Sequence, residues 1–288
     1  MSSDQKKIFE QPNEKMTLRY SWYKFAAYQI RFKSYLTLGK GKVNETEFTE
    51  NWIVEPKEFN HLTLHTSPKE YIKFDHQLKD LYKVLGIIQK TTAKLEIELN
   101  HDKTFRTVTN KEEIKQLWNE IKLKELKYYD LVNQNFHLLI EAHEQEIQNL
   151  DANIKNNIIF QFMFYPFPIN DVGEIINSSI KQTLYSIFFP SYQIEYSTTY
   201  KIEKSNNSFQ ITVNGGSNES ASIEDLYHKN YQQTLKQDLA YNFSVEGKYE
   251  YTKESVLDEA NLFVQEKLND DMLYVCQLQI KLIKNHKE

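Results

Sequence analysis

Apolar and polar positions along this chain change period several times, and those changes divide it into elements. Residues 1–15 are polar and aperiodic and read as a flexible leader. From Thr17 to Leu38 large apolar residues alternate, first as Leu18, Tyr20 and Trp22, then as Phe25 and Ala27, then as Ile30 and Phe32. Alternation that switches register is what a long strand shows when a bulge moves its inward face. Gly39 to Gly41 marks a turn, and strands follow at Glu47 to Val54 and His61 to His65, stopped by Pro56 and Pro68. Leu78, Leu81, Tyr82, Leu85 and Ile88 fall at helical spacing and predict a short helix between Tyr71 and Gln89. Leu95 to Leu99 and Thr104 to Val108 predict a further strand pair turning at His101.

Asn110, with Glu113 three residues later, has the form of a helix N-cap. From Ile114 through Trp118, Ile121, Tyr128, Val132, Phe136, Ile140, His143 and Ile147 the apolar residues recur at three- and four-residue steps. They predict one long amphipathic helix, weakest near Asp130 and ending around Asp151. Ile158 to Ile169 is the most apolar stretch and carries Pro166 and Pro168, so it reads as a buried crossing out of regular structure. A short helix is expected from Asp171 to about Tyr185, then strands at Tyr192 to Ile202 and Phe209 to Val213, the latter ended by a turn at Asn214-Gly215-Gly216-Ser217. Residues 222–239 and 255–268 fit either a helix or a strand, Ser222 with Asp225 favouring a helix in the first; Tyr241 to Tyr251 and Met272 to Ile283 read as strands.

The expected fold is therefore α+β: long antiparallel, curved sheet from both ends of the chain, with a central long amphipathic helix packed on it. One domain over 16–288 is the expected organisation; the alternative is two halves, 16–155 and 190–288, joined by the apolar crossing.

Composition narrows the function more than the fold. The net charge of -5 comes from mixed acids and bases without a basic block, which disfavours nucleic acid. No segment approaches the ~18 apolar residues of a membrane span, and the polar start of the chain is unlike a secretory signal. The expected location is cytoplasmic, unless a signal peptide has been removed. A single cysteine, Cys276, can form no internal disulfide. The 14% of aromatic residues suggests ligand stacking, but Lys, Asn, Ile, Tyr and Phe are abundant together, as AT-rich codons would make them.

Candidate chemistry is sparse. His137 and Glu141 lie at i,i+4 on the long helix with His143 nearby, and would supply half of a metal site; the plainer reading is a charged helix shoulder with one packed histidine. His61 and His65 share one strand face. Cys276 sits inside an apolar strand and is expected to be inert. No glycine-rich phosphate loop and no Gly-x-Ser-x-Gly elbow is present. Trp22, Tyr23, Phe25, Tyr28, Phe32 and Tyr35 place rings on both faces of the first strand, so at least one set needs a cover: the core, or an external partner. The sequence thus favours a non-enzymatic binding protein without cofactor, acting through a protein partner or assembly contact as an inhibitor, adaptor or structural subunit. The alternative is a carrier that holds an apolar small molecule in a half-barrel cavity.

Overall fold

The computed structural model describes residues 25–39, 41–58, 60–74, 76–101, 104–165, 167, 179–190, 192–204, 208–217, 221–232, 238–252 and 255–285. In chain order the strands are β1 (Ala26–Leu38), β2 (Gly41–Pro56), β3 (His61–Thr66), β4 (Glu70–Lys73), β5 (Lys94–Leu99), β6 (Phe105–Val108), β7 (Ile180–Tyr185), β8 (Gln193–Lys204), β9 (Ser208–Ser217), β10 (Asn242–Thr252), β11 (Leu257–Asn269) and β12 (Met272–Asn285). The helices are α1 (Lys79–Gln89), α2 (Lys111–Ile121), α3 (Lys127–Val132), α4 (Gln134–Gln148), α5 (Leu150–Asn156), α6 (Ile158–Met163) and α7 (Ala221–Tyr227).

All twelve strands form one antiparallel sheet in the order β6-β5-β3-β2-β1-β12-β11-β10-β9-β8-β7, with β4 on β2. The strands of the two chain halves meet at the centre, where β1 pairs β12 from Ala26↔Asn285 to Leu38↔Met272. The pairing of β1 with β12 shifts register between Ala27 and Tyr28, but the extra residue is Ile283 of β12; β1 itself runs unbroken there against β2, so the bulge expected in the first strand is not a bulge of that strand. One face of the sheet is polar. The other carries the core, in rows that cross from strand to strand such as Thr198, Gly215, Val245, Val264, Cys276 and Ser34.

The helices cover that inner face, but not as one long helix. Lys122–Leu126 opens into a π turn, and at Asn133 the backbone is extended (φ -149°, ψ 118°) before α4 begins. Asn133 and Asn157 each turn a side-chain oxygen back onto the next helix, accepting from Asn135 N in one case and from Ile159 N in the other. The apolar stripe is buried on either side of these breaks, by Ile114, Trp118 and Ile121 in α2, then Ile140 and Ile147 in α4, then Leu150 and Ile154 in α5; α3 buries none of it, and Tyr128 and Val132, expected on that face, are exposed. Asn110 starts α2 as expected, yet its side chain does not cap it. Its Oδ1 accepts from Glu96 N at 2.9 Å and its amide donates to Lys94 O at 3.3 Å, tying the helix start to β5.

Three further expectations change. The apolar stretch from Ile158 opens as the buried helix α6 instead of leaving regular structure. The helix expected from Asp171 falls partly outside the described residues, and 180–185 is strand. The Gly215-Gly216 pair is no turn but the interior of β9: a Cβ on Gly215 would stand 2.6 Å from Thr198 Cγ2, and one on Gly216 3.0 Å from Phe243 O. Glycine is there so that neighbouring strands can approach. Of the two ambiguous segments, 221–227 is helical and 257–269 is strand.

β6 and β7, the ends of the sheet, do not pair with each other among the described residues. Two consecutive short helices serve them. Asp151 of α5 accepts from Val108 N at 2.9 Å and from Thr107 Oγ1 at 2.8 Å, satisfying the free edge of β6. Beyond the extended backbone at Asn157, Gln161 of α6 reaches Thr183 O of β7 at 3.5 Å.

Candidate functional site

The inner face has two covers. The larger is the helical layer, whose Phe160 packs on Trp52 (ring centroids 4.7 Å apart) and whose Phe162 carbonyl accepts from Tyr249 Oη at 3.2 Å. The smaller is α7 with the segment after β7, where Phe188, Phe189, Ile223, Tyr227, Leu268 and Met272 form a separate buried cluster. Between the two covers lies a cavity of about 330 Å³. Its floor is Phe243, Val264, Glu266 and Tyr274 from β10, β11 and β12; its rim is Asn156 and Ile158 on one side and Leu184 to Ile187 with Pro190 on the other.

This floor is apolar except at Glu266, which is 2% exposed. The strand runs Leu262, Val264, Glu266, Leu268 on its inward side, so Glu266 occupies a position where the pattern calls for an aliphatic residue. Its Oε1 accepts from Ser186 Oγ at 2.5 Å and its Oε2 from Ile187 N at 2.7 Å. Ser186 Oγ in turn accepts from Phe188 N at 3.2 Å and Phe189 N at 2.9 Å. Glu266 thereby fastens the 186–189 segment onto the sheet. Burial pushes its carboxyl above the ordinary value, against the pull of Ser186 and of the Ile187 and Phe188 backbone N–H groups. Tyr274 beside it is raised too, first by burial, then by Cys276 and to a lesser degree by Glu266.

A second depression of about 590 Å³ lies on the opposite, polar face over β1, β12, β11, β10 and β9. Most of its polar groups are occupied by neighbours: Arg31 pairs with Glu47, Asn261 and Gln279 both donate to Glu259 at 2.8 Å, and Lys248 pairs with Glu250. It resembles an ordinary solvated sheet face.

A buried pair on β2 and its neighbour belongs to the core. Glu50 is raised by burial and drawn back down by Lys69 and the Trp52 indole, whose Nε1 lies outside hydrogen-bond geometry; Lys69 is lowered by burial and held up by Glu50. Lys69 Nζ sits 4.5 Å from the centre of the Phe48 ring.

The residues singled out in the sequence are dispersed. Trp22 and Tyr23 lie outside the described residues. Phe25 is half-buried, Tyr28 is in the core at 2% exposure, Phe32 stacks on Phe48 at 5.0 Å, and Tyr35 is half-buried on the polar face opposite Val275. His137 is exposed between Asp130 (2.7 Å) and Glu141 (3.3 Å), which hold its imidazole above the ordinary value. His143 lies apart from them, buried edge-on against Trp118 with Nδ1 2.8 Å from Glu146. Among the described residues no group of three His, Cys, Asp or Glu side chains is arranged to hold a metal ion. His61 is exposed, and His65 lies 3.7 Å from Glu55. Cys276 is buried, its thiol pushed up to about 12 by desolvation. No described helix is long and apolar enough to cross a membrane.

The cavity residues were missed because they come from three strands and two rims far apart in sequence. The one signal available was Glu266 itself, a charge on the inward side of an alternating strand, which is readable only once 255–268 is taken as strand.

No family model matches this chain, and no curated protein matches it. Among solved structures it is similar to one titled "Lipid-protein interactions in lipovitellin", with a TM-score of 0.48 and 7% identity over 91% of this chain. The match covers 25% of that chain, so this protein spans about a quarter of its length. A likeness this distant carries no argument about what this chain binds.

Proposed function

We propose that this protein is a binding protein for a small amphipathic molecule, held in the cavity between the sheet and its two covers. The observation that carries the reading is the cavity itself: about 330 Å³, floored by Phe243, Val264 and Tyr274 around one buried carboxylate. That volume is at the lower end of ligand pockets, which run from roughly 300 to 1,000 Å³. At about 30 Å³ per water it holds on the order of ten waters or a chain of comparable length. The hydroxyl beside the carboxylate, Ser186, already accepts from Phe188 N and Phe189 N as it donates to Glu266, which ties it to a structural role and supports binding as the function of the cavity. Both halves of the chain act here as one domain, a reading supported by the β1–β12 pairing at the sheet centre.

The test is calorimetric titration of the purified protein with decanol, alongside native mass spectrometry of the protein as isolated. Binding of decanol, lost in Leu184→Trp without loss of cooperative unfolding, is the expected result. Leu184 is half-buried on the rim, so an indole there fills the cavity without entering the core. Unchanged binding in that variant, or no binding in the parent, would overturn the proposal.

Contact with a protein partner is the second reading. It is supported by large apolar side chains exposed on the helical layer, including Leu123 at 69%, Tyr128 at 70% and Leu131 at 75%. A stable complex, self-associated or mixed, that is lost in Leu123→Asp/Leu131→Asp would support it; a parent that stays monomeric and binds nothing through this face would not.

A further inference from the structure

The seam cavity carries one formal charge, and its sign selects a ligand. Of the described residues that line it, Glu266 alone is ionisable near neutral pH; no Lys, Arg or His is among them. Its hydrogen bonds come from a hydroxyl and from backbone amides, all neutral donors, and no cation among the described residues pairs with it. The other titratable groups facing it are also acids: Tyr274 from β12 and Tyr231 from the segment after α7. A carboxylate presents about four lone-pair sites, and Ser186 with the Ile187 and Phe188 N–H groups takes up to three of them, so about one remains for a further donor.

We propose that the cavity recognises an amphiphile through a protonated amine, with Glu266 as the counter-charge and Phe243, Val264, Leu184 and Tyr274 around the apolar chain. This deepens the cavity reading and rests on it. The physical reason is the cost of an unpaired carboxylate under the sheet's two covers, where water is scarce. An ammonium group brought in by the ligand supplies the missing positive charge and a charge-assisted hydrogen bond together. A fatty acid of the same length would bring a second negative charge to the same place, and an alcohol would bring a donor without the charge. The expected affinity order is amine, then alcohol, then carboxylate.

Proton bookkeeping follows from the same contact. Burial raises the empty-site carboxyl, and an ammonium partner would lower it again, so amine binding drives Glu266 to its ionised form. Near the carboxyl's own pKa, amine binding then releases a proton from Glu266 to the buffer, and decanol binding does not.

The experiment titrates the full chain with decylamine, decanol and decanoate below their aggregation concentrations, in two buffers of different ionisation enthalpy. The parent should bind decylamine at least about tenfold more tightly than decanoate, with proton release, read from the buffer dependence of the heat, for the amine and none for decanol. Glu266→Gln should weaken decylamine about tenfold or more and leave decanol within about threefold. Leu184→Trp should weaken all three, which separates the cavity from attraction of amines to the acidic surface. Should Glu266→Gln fail to fold, the parent's charge order and its buffer-dependent heat still decide the matter. Decanoate binding as tightly as decylamine, or an amine preference that survives Glu266→Gln, would overturn this inference and leave the cavity reading standing. Failure of all three probes to bind would overturn both.

Discussion

Adding one methyl group at Gly215 tests the packing of the sheet's inner face. Gly215 has an ordinary backbone conformation, so alanine there brings no φ strain; the whole effect is steric. Its Cβ would stand 2.6 Å from Thr198 Cγ2, 3.0 Å from Ser197 O and 3.3 Å from Tyr196 Cδ2. Thr198 has no room to move: it is 0% exposed, and its hydroxyl is engaged with Ile180 O at 3.3 Å and Tyr200 Oη at 2.6 Å. Overpacking of this kind costs about 1–3 kcal/mol, offset by roughly 0.4–1 kcal/mol because alanine restricts the unfolded chain. Gly215→Ala should therefore destabilise by about 1–2 kcal/mol. Thr198→Ser removes the struck methyl and keeps the hydroxyl, at a cost of about 1 kcal/mol for one buried carbon. If the clash is the cause, the double variant should be about 1 kcal/mol more stable than the sum of the single effects. Urea unfolding followed by tryptophan fluorescence measures all three, provided the m-value stays constant. Gly215→Ala within about 0.5 kcal/mol of the parent, or single effects that simply add, would refute the reasoning.

Other consequences can be checked in the same assays. Burial alone would raise Asp151, but Lys111, Val108 N–H and Thr107 hold its carboxyl below the ordinary value; the stability it contributes is present above 3.8 and is lost as pH falls through the lowered value. Asp151→Asn should cost about 1 kcal/mol at neutral pH, water screening a group this exposed, and the gap to the parent should close in acid. Glu266 has the opposite sign: its raised carboxyl stabilises the native state below 4.5, and that contribution is lost as pH rises through the native value. Measured from about pH 5 to 8, the parent should weaken relative to Glu266→Gln; a parent that gains instead would contradict the burial argument. Cys276, held up at about 12, is about one part in ten thousand thiolate at pH 8, so a disulfide reagent should modify it only as the protein unfolds.

Most strands were legible because alternation is a local signal. β1, β8, β10 and β12 stand where alternation places them, whereas the bulge at Ile283 of β12 left no mark in the sequence of β1. The helical layer was over-read for a physical reason: Tyr128 and Val132 keep the spacing of the stripe up to Asn133 yet are exposed, and the buried face resumes only at Ile140, so periodicity reported neither the continuity of the backbone nor burial there. Asn133 and Asn157, both capping residues, were the visible marks of the breaks. Gly215-Gly216 misled because a glycine pair serves a turn and a close strand approach equally well, and only the neighbouring Thr198 distinguishes them. The seam cavity was out of reach, since Leu184, Phe243, Val264 and Tyr274 become neighbours only through strand order.

Pairing Ala26 with Asn285 at the centre of the sheet also sets a timetable. During synthesis β1 acquires β2 at once, but its other edge waits until β12 has left the ribosome, after the other described strands and helices have been made. An open, apolar edge held for that long is a template for wrong partners. Many sequence-distant contacts also make the final closure slow. Until β12 arrives, that edge of β1 is where a wrong strand would pair.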